Sequence, residues 1–92
     1  MKVYIVMERA HNDGELFEDY NHYDKIIGVG INKETAKKII ERRRAEIISL
    51  GGIYYPESNE LVMGTVPKGF ISKYPVRDVR FLYEIIEKER QP

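Results

Sequence analysis

Apolar residues along the chain fall into several groups separated by polar stretches, and their spacing predicts the elements. In the first group, Lys2 to Glu8, β-branched and aromatic residues are nearly continuous. Such a run is typical of a strand covered on both faces. A second strand is predicted from Lys25 to Ile31, where Gly28 and Gly30 leave one face bare so that another backbone or ring can approach closely.

The middle of the chain predicts an amphipathic helix over residues 33–50. Asn32 is a candidate N-cap, and the Gly51-Gly52 pair is a typical signal for the end of a helix. At about 100° per residue, five apolar residues fall on one stripe of this helix. They are Ala36, Ile39, Ile40, Ile47 and Leu50.

Two short apolar runs, 53–55 and 61–66, flank the turn-forming residues 56–60 and predict a β-hairpin. The last segment fits a strand by its composition and a helix by its spacing. We expect a helix over residues 79–90, because its apolar residues follow the i, i+3, i+4, i+7 pattern and Glu84 can pair with Arg80 and Lys88.

These elements predict an α+β fold. The expected architecture is a small sandwich, a single domain over residues 1–92, with a three- to four-stranded, mainly antiparallel sheet. The long helix (33–50) and the C-terminal helix (79–90) pack on that sheet. The segment from residue 9 to residue 23 is polar, with a turn signal at Asn12-Asp13-Gly14, and is expected to be a long loop or the tip of a long hairpin.

The composition excludes several classes of protein and of functional site. The chain has no cysteine, which excludes a disulfide framework, a zinc-thiolate site and a thiol nucleophile. The N-terminal apolar run is too short for a signal peptide or a membrane span, so we expect a cytoplasmic protein that does not contact a membrane.

The formal charge is zero, with 15 basic and 15 acidic residues, but the charges are segregated along the chain. Residues 8–24 carry a net −5, whereas residues 33–44 carry +4 and residues 67–80 carry +3. The neutral sum argues against a general nucleic-acid binder. The uneven distribution is either that of ordinary solvated segments or a sign of charge-complementary association with a second copy or an anionic partner.

The first half of the chain resembles a loose group of small uncharacterised bacterial and phage accessory proteins. These share a strand, an acidic loop, a second strand and a helix. The matching residues are Val3-Tyr4, Ile27-Gly28-Val29 and Glu34-Thr35-Ala36, within about residues 2–50. The resemblance implies an accessory role in a bacterium or phage, and it carries over no catalytic residue.

Arg43 is the sharpest anomaly, because it falls at the centre of the apolar helix stripe, where an unpaired guanidinium would be strongly unfavourable. Three interpretations stay open. Its stem can cover apolar surface while its head reaches water. It can form an ion pair within the chain or across subunits. It can also face a cavity and bind a carboxylate or phosphate.

The other candidate partner- or ligand-binding residues are basic or aromatic, and tyrosine in particular is favoured at interfaces. They are Lys38, Arg42, Arg44, Lys68, Arg77 and Arg80, together with Tyr20, Tyr23, Tyr55 and Phe70. We expect no metal or cofactor, because the His and acidic residues between positions 11 and 22 lack the spacing of known metal sites. We expect no enzyme, because no catalytic constellation is present.

The leading hypothesis is therefore a small non-enzymatic interaction module, a regulatory protein that binds a protein partner and forms a homodimer. One alternative is a binder of an anionic small ligand such as a nucleotide, which would use Arg43 and the basic segment 68–80. The other is a nucleic-acid-binding regulator that uses the basic helix, although the acidic segment disfavours it.

Overall fold

The computed structural model describes residues 1–12, 22–71, 73 and 75–89, with the backbone alone at residues 12, 22 and 23. These residues form an antiparallel sheet and a helix, α1 (Lys33–Ser49). The five strands lie in the order β2-β1-β5-β4-β3. The strands are β1 (Lys2–Asn12), β2 (His22–Gly30), β3 (Ile53–Tyr55), β4 (Glu60–Val66) and β5 (Val76–Glu89).

The predicted α+β class is confirmed, but the predicted sheet of three or four strands is wrong. The predicted C-terminal helix over residues 79–90 is also wrong, because this segment belongs to β5, a central strand between β1 and β4. Each i, i+4 pair that favours a helix contributes only about 0.2–0.5 kcal/mol. As a strand, the segment instead pairs with two neighbours and buries Val79 and Phe81 completely.

A loop over the whole of residues 9–23 is wrong, because both ends of this polar segment form paired strand, as the hairpin alternative predicts. β1 continues to Asn12 and β2 begins at His22, so both strands extend into the polar stretch. Arg9 pairs with Asp24 in the ladder, and a β-bulge interrupts the register between Val6 and Met7. The rest of the predicted loop, including most of its turn, lies outside the described residues.

The helix follows its prediction, apart from ending at Ser49 with Leu50 as C-cap. At its start, Asn32 Oδ1 accepts a 2.8 Å hydrogen bond from the Thr35 N–H, and the Asn32 N–H donates to Thr35 Oγ1 at 3.2 Å. At its end, Gly51 has a φ of 104°, and the Gly52 N–H donates to the Ile47 carbonyl at 3.0 Å. This is a Schellman motif, which satisfies the last carbonyls of the helix.

The core lies between α1 and one face of the sheet. Because residues opposite one another in an antiparallel ladder share a face, Val6, Glu8 and Ala10 of β1 face the helix with their β5 partners. Leu50, which was expected on the buried stripe, is 48% exposed. The core cluster comprises Ala10, Ile47, Leu61, Met63, Val66, Val76, Val79 and Phe81.

Two glycines of β2 let the helix approach the sheet. A Cβ added at Gly28 would lie 2.9 Å from the Ile39 side chain. A Cβ added at Gly30 would lie 2.7 Å from the backbone nitrogen of Ala36, which cannot move without displacing the first turn of α1. The bare face that the sequence predicted for the second strand is therefore the contact face for the helix.

We expect Gly30→Ala to lower the free energy of unfolding by about 1–3 kcal/mol, because the added methyl overpacks a backbone contact. The matched control is Gly64→Ala in β4, since a Cβ there meets nothing within 4 Å. The control should leave stability unchanged within about 0.5 kcal/mol or raise it. Urea unfolding followed by circular dichroism measures both, and equal losses in the two variants would contradict this packing.

Candidate interaction surfaces

A buried ion pair joins the helix to the sheet. The Glu8 side chain, in β1, is 0% exposed, and Arg43, in α1, is 15% exposed. Arg43 donates from Nε to Glu8 Oε2 at 2.7 Å and from Nη2 to Glu8 Oε1 at 3.1 Å. This two-pronged geometry is the strong form of an arginine–carboxylate pair.

Three further groups complete this ion pair. Tyr83, opposite Glu8 on β5, donates its hydroxyl to Glu8 Oε2 at 2.9 Å. Arg43 Nη1 donates to Glu46 Oε1 at 3.0 Å. The guanidinium also lies 4.6 Å from the centre of the Phe70 ring, a cation–π distance. Of the three interpretations open for Arg43, the structure therefore has the ion pair within the chain.

The neighbouring Arg44 is also held inside the protein. Its guanidinium lies 4.6 Å from the centre of the Tyr54 ring, and its Nη2 donates to Asn59 Oδ1 at 2.9 Å. Its buried Nε makes no hydrogen bond to a described residue. By contrast, the side chains of Lys38 and Arg42 are exposed on the same helix.

The remaining predicted site residues do not come together. Phe70 packs on the core beside Arg43, whereas Lys68 and Arg77 are exposed. Arg80 lies opposite His11 in the ladder, which places it on the sheet face away from α1. Tyr55 lies on that same face, opposite Glu60. Tyr20 and the Tyr23 side chain lie outside the described part of the chain.

The sheet face opposite α1, here called the open face, carries a broad apolar surface. No described helix lies on it. Ile5 stands between Val29 and Ile86 in the ladders, and Met7 is opposite Ile26. Several of these side chains are largely exposed, at 57% for Val29 and 56% for Ile26. The apolar residues of the open face are Val3, Ile5, Met7, Ile26, Val29, Ile53, Val62, Leu82 and Ile86.

Balanced charges accompany this apolar surface. Arg9 lies 2.8 Å from Glu84 and 3.7 Å from Asp24, each measured from an arginine nitrogen to a carboxylate oxygen. Farther along the face, Arg80 and Glu60 are 3.9 Å apart. The open face therefore carries apolar residues together with acidic and basic side chains that pair with one another.

Tyr4, near the start of β1, lies on the helix side of the sheet and donates its hydroxyl to Glu87 at 3.0 Å. This hydrogen bond, with lesser contributions from desolvation and from the nearby negative charge, raises the pKa of the Tyr4 phenol. The contact ties the start of β1 to the end of β5.

No protein-family model, curated protein or solved structure matches this chain. The resemblance to bacterial and phage accessory proteins therefore stays a prediction. Within the described ranges, no helix has the length and apolar character needed to cross a membrane. Across the same ranges, no cluster of three His, Asp or Glu side chains could hold a metal ion.

Sequence reasoning found Arg43 but missed its partner, Glu8. The sequence does carry one indication of this partner. Glu8 shares its strand face with Val6 and Ala10, so the alternation of β1 places a carboxylate among buried positions. Because a buried charge is normally paired, a buried acid on a strand and a buried arginine on a helix are each other's natural partners.

We expect Arg43→Met to lower the free energy of unfolding by about 3–5 kcal/mol, because it leaves the Glu8 carboxylate buried without its cation. The double variant Glu8→Leu/Arg43→Met should lose much less than Arg43→Met alone, since it removes both charges. Urea unfolding of both variants and of the single Glu8→Leu completes the double-mutant cycle.

The exposed Lys2–Glu87 pair, 3.6 Å apart, supplies the control for this cycle. Lys2→Ala should cost less than about 1 kcal/mol, because solvent screens a surface pair. A double variant that loses the sum of the two single losses would contradict the coupling between Glu8 and Arg43.

Proposed function

We propose that this chain is a cytoplasmic, non-enzymatic interaction module with an accessory or regulatory role, and that it forms a homodimer through the open face. One observation carries the proposal: the face of the sheet without a helix is apolar. An antiparallel sheet with one solvated face normally alternates apolar and polar residues. In β1 the first three open-face residues, Val3, Ile5 and Met7, are apolar, and only Arg9 and His11 beyond them are polar.

The size of the open face supports a second copy as its partner. Neighbouring strands lie about 4.8 Å apart and rise about 3.3 Å per residue, so the 44 residues of the five strands cover roughly 700 Å². A stable interface of standard size covers about 800 Å² on each partner. Contiguous apolar patches of several hundred Å² are also typical of interaction sites.

The charges of the open face also support self-association. Arg9 and Arg80 lie among Glu60, Glu84 and Asp24, and Lys88 stands opposite Val3. A two-fold dimer places the same patch against itself, so a patch with three acids and three bases can be complementary to its copy. The zero formal charge of the chain adds no net repulsion between copies.

The geometry supports the two alternative functions less well. Arg43, the expected contact for an anionic small ligand, is already paired with Glu8 and Glu46. Arg80, from the basic segment, lies on the other side of the sheet from Arg43. On the basic helix, the Arg44 guanidinium already contacts Tyr54 and Asn59. One fewer cation is therefore available to bind the phosphates of a nucleic acid.

We expect Ile86→Lys, at the centre of the open face, to weaken homodimerisation by at least about tenfold, because a lysine there must be desolvated at the interface. Ile53→Lys on β3 tests the rim of the same face without disturbing the core, since Ile53 is 58% exposed. Sedimentation equilibrium over micromolar concentrations measures the dimer, and circular dichroism confirms that each variant folds.

Leu50→Lys is the matched control, because Leu50 is an exposed apolar residue at the end of α1, off the open face. It should leave the dimer unchanged. The proposal is wrong if the unmodified chain stays monomeric at high micromolar concentration. It is equally wrong if Leu50→Lys weakens the dimer as much as the open-face substitutions do.

A further inference from the structure

A second surface lies on the helix side of the sheet, between β2 and α1. It is an open groove of about 440 Å³, here called the β2–α1 groove. One wall consists of residues 25–29 of β2, and the other consists of Ile39, Arg42, Arg43 and Glu46 of α1. The groove meets the open face along the edge of β2, where Ile26 and Val29 belong to both.

The β2 wall of the groove is the edge of the strand. Successive side chains of a strand point to opposite faces, so five consecutive residues can line one groove only along the strand's edge. Among the described strands, β2 is the outermost and pairs with β1 alone. Its outer N–H and C=O groups are therefore available to another extended chain.

The side chains around this edge are apolar in the middle and positive at the rim. Ile39 stands over Gly28, which brings no side chain into the groove. Lys25, opposite Glu8 in the ladder, and Arg42 are both exposed, and neither makes an ion pair with a described residue. The groove's carboxylate, Glu46, is paired with Arg43. Because Arg43 is shared between Glu46 and the buried Glu8, these three groups carry a net −1. With the exposed cations Lys25 and Arg42, the groove is net +1.

We propose that the β2–α1 groove binds an extended acidic segment of a partner protein, which adds to β2 as a further strand. Backbone hydrogen bonds to the β2 edge hold the segment, and its carboxylates lie near Lys25 and Arg42. An edge strand beside a helix is a recurrent arrangement for this mode of peptide recognition. The bulge at Ile27 twists the edge and interrupts its ladder, which favours a short segment and opposes indefinite stacking of sheets.

The probe for this proposal is an acetylated, fluorescently labelled peptide, Glu-Val-Glu-Val-Glu-Val-amide, titrated with the whole chain at low ionic strength. We expect fluorescence anisotropy to show saturable binding that weakens as salt is added. The double charge reversal Lys25→Glu/Arg42→Glu should weaken it by about tenfold or more, since two attractive pairs are lost and reversal adds repulsion.

Lys37→Glu, matched in charge to the single reversal Arg42→Glu, is the control, because Lys37 is exposed on the opposite side of α1 from Ile39, Arg42 and Glu46. It should change the affinity by less than about threefold. A second peptide, N-methylated at alternate residues so that one edge cannot donate hydrogen bonds, separates strand addition from simple charge attraction. We expect it to lose binding by about tenfold or more, because it cannot pair with β2.

Three results would overturn the proposal. The first is no binding of the acidic peptide at millimolar concentration, and the second is equal binding of the N-methylated peptide. The third is a loss in Lys37→Glu as large as that in the groove variant. The Ile86→Lys variant should bind the peptide as the unmodified chain does, so failure of the homodimer and failure of the groove proposal are separate outcomes.

Discussion

The packing of the helix on the sheet is organised around one carboxylate that water does not reach. Glu8 is completely buried, and burying an ionised carboxylate is expensive unless its oxygens are matched by donors. Arg43 from α1 and Tyr83 from β5 supply those donors. The requirement to satisfy Glu8 therefore sets the position of the helix on the sheet and its rotation about its own axis.

This placement determines which residues line the groove and which remain on the open face. With Arg43 turned toward Glu8, Ile47 enters the core and Arg42 points outward at the rim of the groove. The chain has a single described helix, and it is committed to one side of the five-stranded sheet. The other side keeps its apolar residues and its paired charges at the surface.

Local signals predicted the elements whose causes are local. Asn32 caps the start of the helix, and Gly51-Gly52 mark its end. The turn-forming residues 56–60 indicate the hairpin. β5 was not predictable in this way, since its residues satisfy a helical pattern and long-range pairing with β1 and β4 decides the outcome. Arg43 stood out because it broke a stripe, but its partner lies 35 positions away and only the fold brings them together.

The most direct test of the proposed mode of action is an isotope-filtered NMR experiment on a mixture of labelled and unlabelled chains. If two copies meet through the open face, intermolecular contacts should connect the methyl groups of Ile5, Leu82 and Ile86 across the dimer. A dimer whose intermolecular contacts come instead from Ile48 or Leu50, at the end of the helix, would contradict it.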